Sequence, residues 1–207
     1  MYTQPIFAIN ERQELHQHMR NYPLATLVTT RGGRVDANLL PLDLSDRGLH
    51  GQLSGHVARN HSLWTDGSDG FDVTAVFQSP NAYISPRWYV NGQSSKRNAP
   101  SWNYIAVQAR GRLRFIEDAE WMVAHLASLT ASQEARRPEP WTPGDIAPDF
   151  LQETARRLVG FEIEIQELTG KRFLSQQRTD ADRKSLVQHL SVEESLAARA
   201  VADLIRR

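Results

Sequence analysis

From Tyr104 to Phe115 the chain reads YIAVQARGRLRF, and apolar and polar residues alternate throughout. Ile105, Val107, Ala109, Gly111, Leu113 and Phe115 share one side, while Gln108, Arg110, Arg112 and Arg114 share the other. Helical geometry would scatter both sets around an axis. Alternation puts them on opposite faces of a strand, one buried and one basic and wet. Gly111 inside this run marks a bulge or the close approach of another backbone.

The neighbouring sequence supplies strands in hairpin order. Leu24 to Thr30 is rich in β-branched residues, Arg31-Gly32-Gly33-Arg34 signals a tight turn, and Val35 to Leu42 returns. Asp46-Arg47-Gly48 reads as the next turn and Leu49 to Leu53 as a third strand, completing a meander. Gly55 interrupts the pattern, so His56 to Trp64 reads as a short helix or turn, followed by the loop from Thr65 to Gly70. Val73 to Phe77 and Phe161 to Leu168 read as strands, Tyr83 to Trp88 as extended chain and Asn91 to Pro100 as a polar loop.

Helices lie at the margins. One runs from Asn10 to about Asn21, capped by Asn10 with Gln13 and ended by Pro23. Others cover Glu117 to about Gln133 and Asp149 to Leu158. The tail from Asp180 reads as two helices, the second opened by Ser191 with Glu194. Hairpins rather than βαβ units point to a mainly β fold with marginal helices (α+β), a small antiparallel barrel. The barrel covers residues 1–178 and a helical tail, 179–207, packs on it.

Composition narrows the function. The 207 residues carry 24 Lys plus Arg and 24 Asp plus Glu, which excludes a globally basic nucleic-acid binder. There is no cysteine, hence no disulfide, thiolate nucleophile or Cys-based metal site. No apolar run approaches the ~18 residues of a spanning helix, and the opening Met1-Tyr2-Thr3-Gln4-Pro5 lacks the features of a signal peptide. A cytoplasmic protein with no membrane partner is expected.

Three stretches carry polar chemistry. Gly55-His56-Val57-Ala58-Arg59-Asn60 follows a strand and opens a turn, where free amides plus Arg59 and His56 suit a phosphate. It also reads as an ordinary turn with a solvated arginine. Pro100-Ser101-Trp102-Asn103-Tyr104 sets an amide between aromatics, suited to stacking on a planar ring or to core packing, and the same holds for Tyr83 to Tyr89. Gly170 reads as the end of a strand, and the stretch from it to Arg178 offers Ser175, Gln176 and Arg178 as donors for a phosphate or ring carbonyl, or forms a capped surface turn. His16 and His18 diverge on a helix and make a poor metal pair. No GxSxG, P-loop, GxGxxG or acid–base triad is present. Donors and aromatics without such machinery suit cofactor binding.

These stretches together resemble the PaiB family of FMN-binding split-barrel proteins, described as negative transcriptional regulators. The resemblance runs in order through Met1-Tyr2, Pro5-Ile6-Phe7, Pro23 to Val28, Leu40-Pro41-Leu42, Gly55 to Arg59, Ala82 to Tyr89, Pro100 to Tyr104 and Gly170 to Arg178. The sequence departs from the family pattern at His61-Ser62, at Ala99-Pro100-Ser101 and at Gln177. The resemblance implies a split barrel that pairs into a homodimer with one FMN at each subunit boundary. It places Asn38, Leu39, Leu40 and Pro41 along the flavin, and the turn of His56, Val57, Ala58, Arg59 and Asn60 at its phosphate. The resemblance also puts Trp102 and Asn103 near the ring and makes Ser175, Gln176 and Arg178 the residues that close the site. The implied role is repression of genes, with DNA reached directly or through a partner protein. The competing roles are a flavin-dependent oxidoreductase, with Asn91 to Pro100 as lid, and a barrel that serves only as a dimeric interaction module. In the tail, Leu196, Ala197, Ala200, Val201 and Leu204 fall on one helix face, which reads as packing rather than as a DNA-reading helix. Arg178, Arg183, Lys184, Arg199, Arg206 and Arg207 supply basic charge there.

Overall fold

A computed structural model describes residues 1–65 and 70–206. Residues 66–69 of the expected loop, and Arg207 of the basic tail, lie outside the described residues. In chain order the elements are β1 (Ala8–Ile9), α1 (Arg12–Asn21), β2 (Leu24–Arg31), β3 (Arg34–Pro41), β4 (Asp43–Ser45), β5 (Gln52–Ala58) and α2 (Ser62–Thr65). They continue with β6 (Phe71–Gln78), β7 (Ala82–Ile84), β8 (Ser101–Ile116), α3 (Ala119–Glu134), α4 (Pro148–Arg156), β9 (Leu158–Phe173), α5 (Asp180–Val192) and α6 (Leu196–Arg206). The chain forms two compact units. One comprises Met1–His18, Phe77–Gln108 and Thr169–Arg207; the other comprises Met19–Val76 and Ala109–Leu168.

The second unit is built on a sheet in the order β3-β2-β6-β8-β9-β5-β4. β2 and β3 form the expected antiparallel hairpin, from Leu24↔Pro41 to Arg31↔Arg34. Gly32 and Gly33 both take positive φ, the geometry a two-residue turn of this hand requires. The meander ends there. β2 passes its other edge to β6, while β4 and β5 form a separate hairpin at the far end of the order. Leu42 makes the break: it is buried, and its N–H donates to the Pro23 carbonyl at 2.9 Å. β3 also approaches β5, so the sheet curls toward closure. Leu27, Leu53, Ala75, Leu113, Phe161 and Ile163 are buried inside it. The arginines of β8 stay exposed, as the alternation requires.

Two glycines that read as punctuation are packing residues. Gly55 does not break a strand, and the third strand runs over Gln52–Ala58 instead of Leu49 to Leu53. A Cβ on Gly55 would lie 2.5 Å from the Phe161 ring, so that ring selects glycine within a continuous strand. Gly111 faces the Glu164 carbonyl, which a Cβ would meet at 2.1 Å, the close backbone approach expected there.

In the first unit β1 pairs with β9 through Ala8↔Lys171 and Ile9↔Gly170, and β7 pairs with β8 through Tyr83↔Trp102. Gly170 therefore does not end a strand. Leu15 and Ile9 pack where its Cβ would stand, and β9 continues to Phe173. After β7 the chain winds into a short 3-10 turn, Pro86–Trp88, rather than staying extended. α1 starts two residues later than expected, with Glu14 and Leu15 donating to the Glu11 carbonyl. α5 runs through Ser191, whose hydroxyl donates to the Val187 carbonyl; Ser195, not Ser191, caps α6 by accepting from the Ala198 N–H. The buried face of α6 is Ala198, Val201, Ala202 and Ile205, and Leu196 is exposed.

Candidate functional site

In the second unit the expected flavin residues divide between β3 and the end of β5. β3 is the last strand of the sheet order. Asn38 and Leu40 are half-buried, opposite Leu27 and Ala25 of β2. Leu39 and Val35 point the other way and are 67% and 68% exposed, and Leu24, opposite Pro41, is 60% exposed. Cross-strand partners share a face. Leu24, Pro41, Leu39, Ala37 and Val35 therefore form an apolar outer surface on an edge hairpin.

His56, Val57 and Ala58 belong to β5 itself, which corrects the turn expected at this stretch. Val57 enters the core, and His56 alternates to the opposite face. There its Nδ1 lies 3.1 Å from His125 Nε2, on α3. Trp121, one helical turn earlier, stacks on the His125 ring, donates through Nε1 to Glu162, and fills the space over Gly160. Burial pushes the His56 imidazole below its usual range. His125 is pushed down to about 4, chiefly by burial, then by neighbouring His56, against the opposing pull of Asp43. Both rings are therefore neutral near neutral pH.

The turn proper starts at Arg59. Its N–H donates to the Arg157 carbonyl, so this amide does not point outward. The guanidinium donates through Nε to the Arg156 carbonyl at 3.1 Å, through Nη2 to the Leu158 carbonyl at 3.2 Å, and through Nη1 to Glu117 at 2.6 Å. A guanidinium has five N–H groups. Three are engaged, which leaves one on each terminal nitrogen of a side chain that is 45% exposed. Asn60 is exposed beside it. α2 is a four-residue helix and offers no dipole of consequence. The chemistry on offer to an anion at this corner is that of an arginine, not of a helix terminus.

In the first unit the structure joins Asn103 and Ser175. Asn103 is fully enclosed; its Nδ2 donates to Ser175 Oγ at 3.0 Å, and their Oδ1 and Oγ atoms lie 3.2 Å apart. Ser175 sits at φ +58°, a left-handed position where a side chain is unusual. Gln176 is folded inward, accepting from the Leu174 N–H and donating to the Arg172 carbonyl. Arg178 lies 4.0 Å above the Tyr89 ring and bonds Asn98 at 3.3 Å. Trp102 is exposed and meets Tyr83 edge to face.

Sequence reasoning missed Asp182, which organises this region. Its buried Oδ1 accepts from the Val90 and Asn91 N–H groups at 2.8 and 2.9 Å, and Thr179 donates to its Oδ2. Burial opposes its ionisation. The Asn91 amide, the Thr179 hydroxyl and the Val90 amide more than offset that, holding its carboxyl below the usual range. The Thr-x-x-Asp spacing from Thr179 was the available signal. His125, Trp121 and Glu162 carried none, because only the tertiary fold brings them to β5.

The architecture is that of the split-barrel flavin proteins. Among solved structures the chain is similar to the FAD and heme binding protein from Mycobacterium smegmatis, with a TM-score of 0.59 at 15% identity over 87% of this chain and 79% of that one. It is similar in the same way to the flavocytochrome Anf3 from Azotobacter vinelandii, with a TM-score of 0.59 at 13% identity over 84% and 70% of the two chains. At such identities the likeness is one of fold. Residues 1–167 match the family described as "Putative FMN-binding domain", and the chain belongs to that family. Over 205 residues it is 30% identical to protease synthase and sporulation protein PAI 2 of Bacillus subtilis (strain 168), covering 99% of this chain and 96% of that protein. The resemblance to the PaiB family read from the motifs is thus matched along the whole chain, and with it the expected cofactor, FMN.

Proposed function

We propose that this chain binds FMN as a homodimer and acts in the control of gene expression. The observation that carries the reading is the full-length identity to PAI 2, within a family whose description is FMN binding. The donor set fits the cofactor. Arg59 is fixed by two carbonyls and Glu117 yet keeps two N–H groups, the complement a phosphate's oxygens take up. FMN, when bound, supplies the redox chemistry. The chain's part is to hold the anionic end at Arg59 and Asn60, with His56 and Val57 fixing the strand behind them, and to line the flavin with Asn38 to Pro41.

The apolar outer face of the β2–β3 hairpin supports the dimer, since monomers rarely leave such a patch uncovered. The tail supports regulation through a partner protein rather than direct reading of DNA. Among its basic residues, Arg183 caps the Ile205 carbonyl, Arg199 reaches the Glu194 carbonyl, and Arg206 pairs with Asp203 and Ser191. No helix among the described residues is long and apolar enough to cross a membrane. The expected cytoplasmic location fits a role on genes in a cell without a nucleus.

Visible absorption of the purified protein before and after added FMN tests the reading. A flavin band that survives desalting supports it, and a protein that stays colourless refutes it. Anaerobic NADH or NADPH separates the oxidoreductase reading, under which bound flavin is bleached. A salt-dependent gel shift would favour direct DNA binding over action through a partner.

A further inference from the structure

Within the second unit the outer face of β8 carries Arg110, Arg112 and Arg114 at alternate positions. Arg110 pairs with Glu167 at 3.5 Å. The other two do not follow. Arg112 and Arg114 line a cavity of about 300 Å³ together with Arg47, from the turn between β4 and β5, and with Glu162 and Glu164 of β9. All three arginines are exposed, and none makes a hydrogen bond or an ion pair with a described residue. Each keeps its five N–H donors. The neighbours explain why. Glu162 accepts from Gln52 and from Trp121, one bond on each oxygen. Asp46, beside Arg47 in sequence, pairs with Arg20 at 2.8 Å, which anchors the turn and takes that carboxylate from Arg47. Arg112 lies against Gly70, its Nη2 3.0 Å from where a Cβ would stand. Glu164 lines the same cavity yet is within ion-pair distance of none of the three.

Guanidiniums gathered around one small space repel one another, and an anion among them removes that repulsion. The guanidinium fork matches the oxygens of a phosphate. The flanking glutamates limit the size of the guest. An extended polyanion laid over this face would run across Glu162 and Glu164, whereas a compact one reaches the arginines between them. The cavity is also at the small end for a ligand pocket. We propose that it binds a small phosphomonoester, whose phosphate is taken by Arg47 and Arg114 with Arg112 adding charge. The site is separate from the flavin corner: the cavity borders Gln52, the first residue of β5, and Arg59 follows Ala58, the last.

The test titrates the full chain with methyl phosphate, methylammonium and a short DNA duplex while following the arginine Nε–H signals by NMR. Methyl phosphate is expected to give a saturable shift at Arg47 and Arg114, and methylammonium none. Arg47→Gln and Arg114→Gln should each weaken binding about tenfold. Glu164→Gln should tighten it about twofold to threefold by removing a facing charge. Arg110→Gln, outside the cavity and paired with Glu167, should leave it unaltered. Absence of a saturable shift, or unchanged affinity in both Arg47→Gln and Arg114→Gln, overturns the proposal, and so does weaker binding in Glu164→Gln. The duplex is expected to leave these signals in place; tighter binding of duplex than of methyl phosphate overturns the small ligand in favour of nucleic acid. The titration is repeated on FMN-saturated protein, where equal affinity supports a separate site and competition overturns it. Because the first titration is read without FMN, its outcome does not depend on flavin binding.

Discussion

Arg59 was expected to hold a phosphate and Arg178 to close the same site as a donor to a phosphate or a ring carbonyl, and both sit in short polar segments that follow a long or central strand. They are held in different ways. Arg59 is tied by two backbone carbonyls and Glu117, with its side chain half in solvent and two N–H groups left over. Arg178 sits over the Tyr89 ring, bonds Asn98, and has its Nε enclosed with no partner among the described residues. Both are oriented, but the fold engages them differently. Around Arg178 everything converges on loop fixation: Asp182 holds Val90 and Asn91, Thr179 accepts from Asn91, and Asn98 accepts from Arg178. Around Arg59 the neighbours hold the guanidinium still and leave it chemically open. An arginine in sequence therefore says little about anion binding until its other partners are counted.

If the first unit's cluster is structural, its largest effect is on stability. Asn103→Ala would strand the buried Ser175 hydroxyl and lower stability by roughly 2–3 kcal/mol, read as a fall in melting temperature. Asp182→Asn should cost about 1–2 kcal/mol at neutral pH through the loss of charge-assisted bonds. Asp182 has a folded pKa below its unfolded 3.8, so its contribution is present above 3.8 and disappears as pH falls through the lower folded value. Denaturant midpoints for wild type and variant should converge only in strong acid.

The histidine pair of the second unit sharpens the contrast, because it titrates in another window. His125 has a folded pKa near 4 against 6.5 unfolded, so the unfolded chain binds more protons between those values. Stability should fall as pH drops from 6.5 toward 4, and His125→Gln should lessen that slope, to which His18, also pushed by burial to about 4, contributes its own share, while leaving the Asp182 window intact. The smallest expected effect is that of Arg178→Lys, which keeps a charge near Tyr89 but loses the guanidinium's contact with the ring and with Asn98, about 0.5–1 kcal/mol. A larger drop in flavin affinity than in stability would move Arg178 from the loop to the flavin.

The strands were legible wherever a period of two ran uninterrupted. β8 was read almost to its ends, and the β2–β3 hairpin followed from Gly32-Gly33. Errors gathered at glycines and at strand partners. Gly55 and Gly170 resemble breaks in one dimension, yet a phenylalanine ring and a leucine side chain select them in three. Adjacent hairpins suggested a meander because nothing local records that β2 passes its free edge to β6. The candidate site was legible as motifs, while its working details lay in residues distant in sequence: Glu117 under Arg59, His125 under His56, Asp182 under the Asn91 loop.

The most direct test is an FMN titration of wild type beside Arg59→Ala, with thermal melts of both. The exposed ion pair with Glu117 is worth at most about 1 kcal/mol and the bonds to the Arg156 and Leu158 carbonyls about 1 kcal/mol each, so Arg59→Ala should melt lower than wild type but still fold, and affinity is compared well below both melts. Affinity should fall about tenfold or more, the equivalent of one lost guanidinium–phosphate contact. Equal affinity in the two proteins would contradict the account and move the phosphate away from the end of β5.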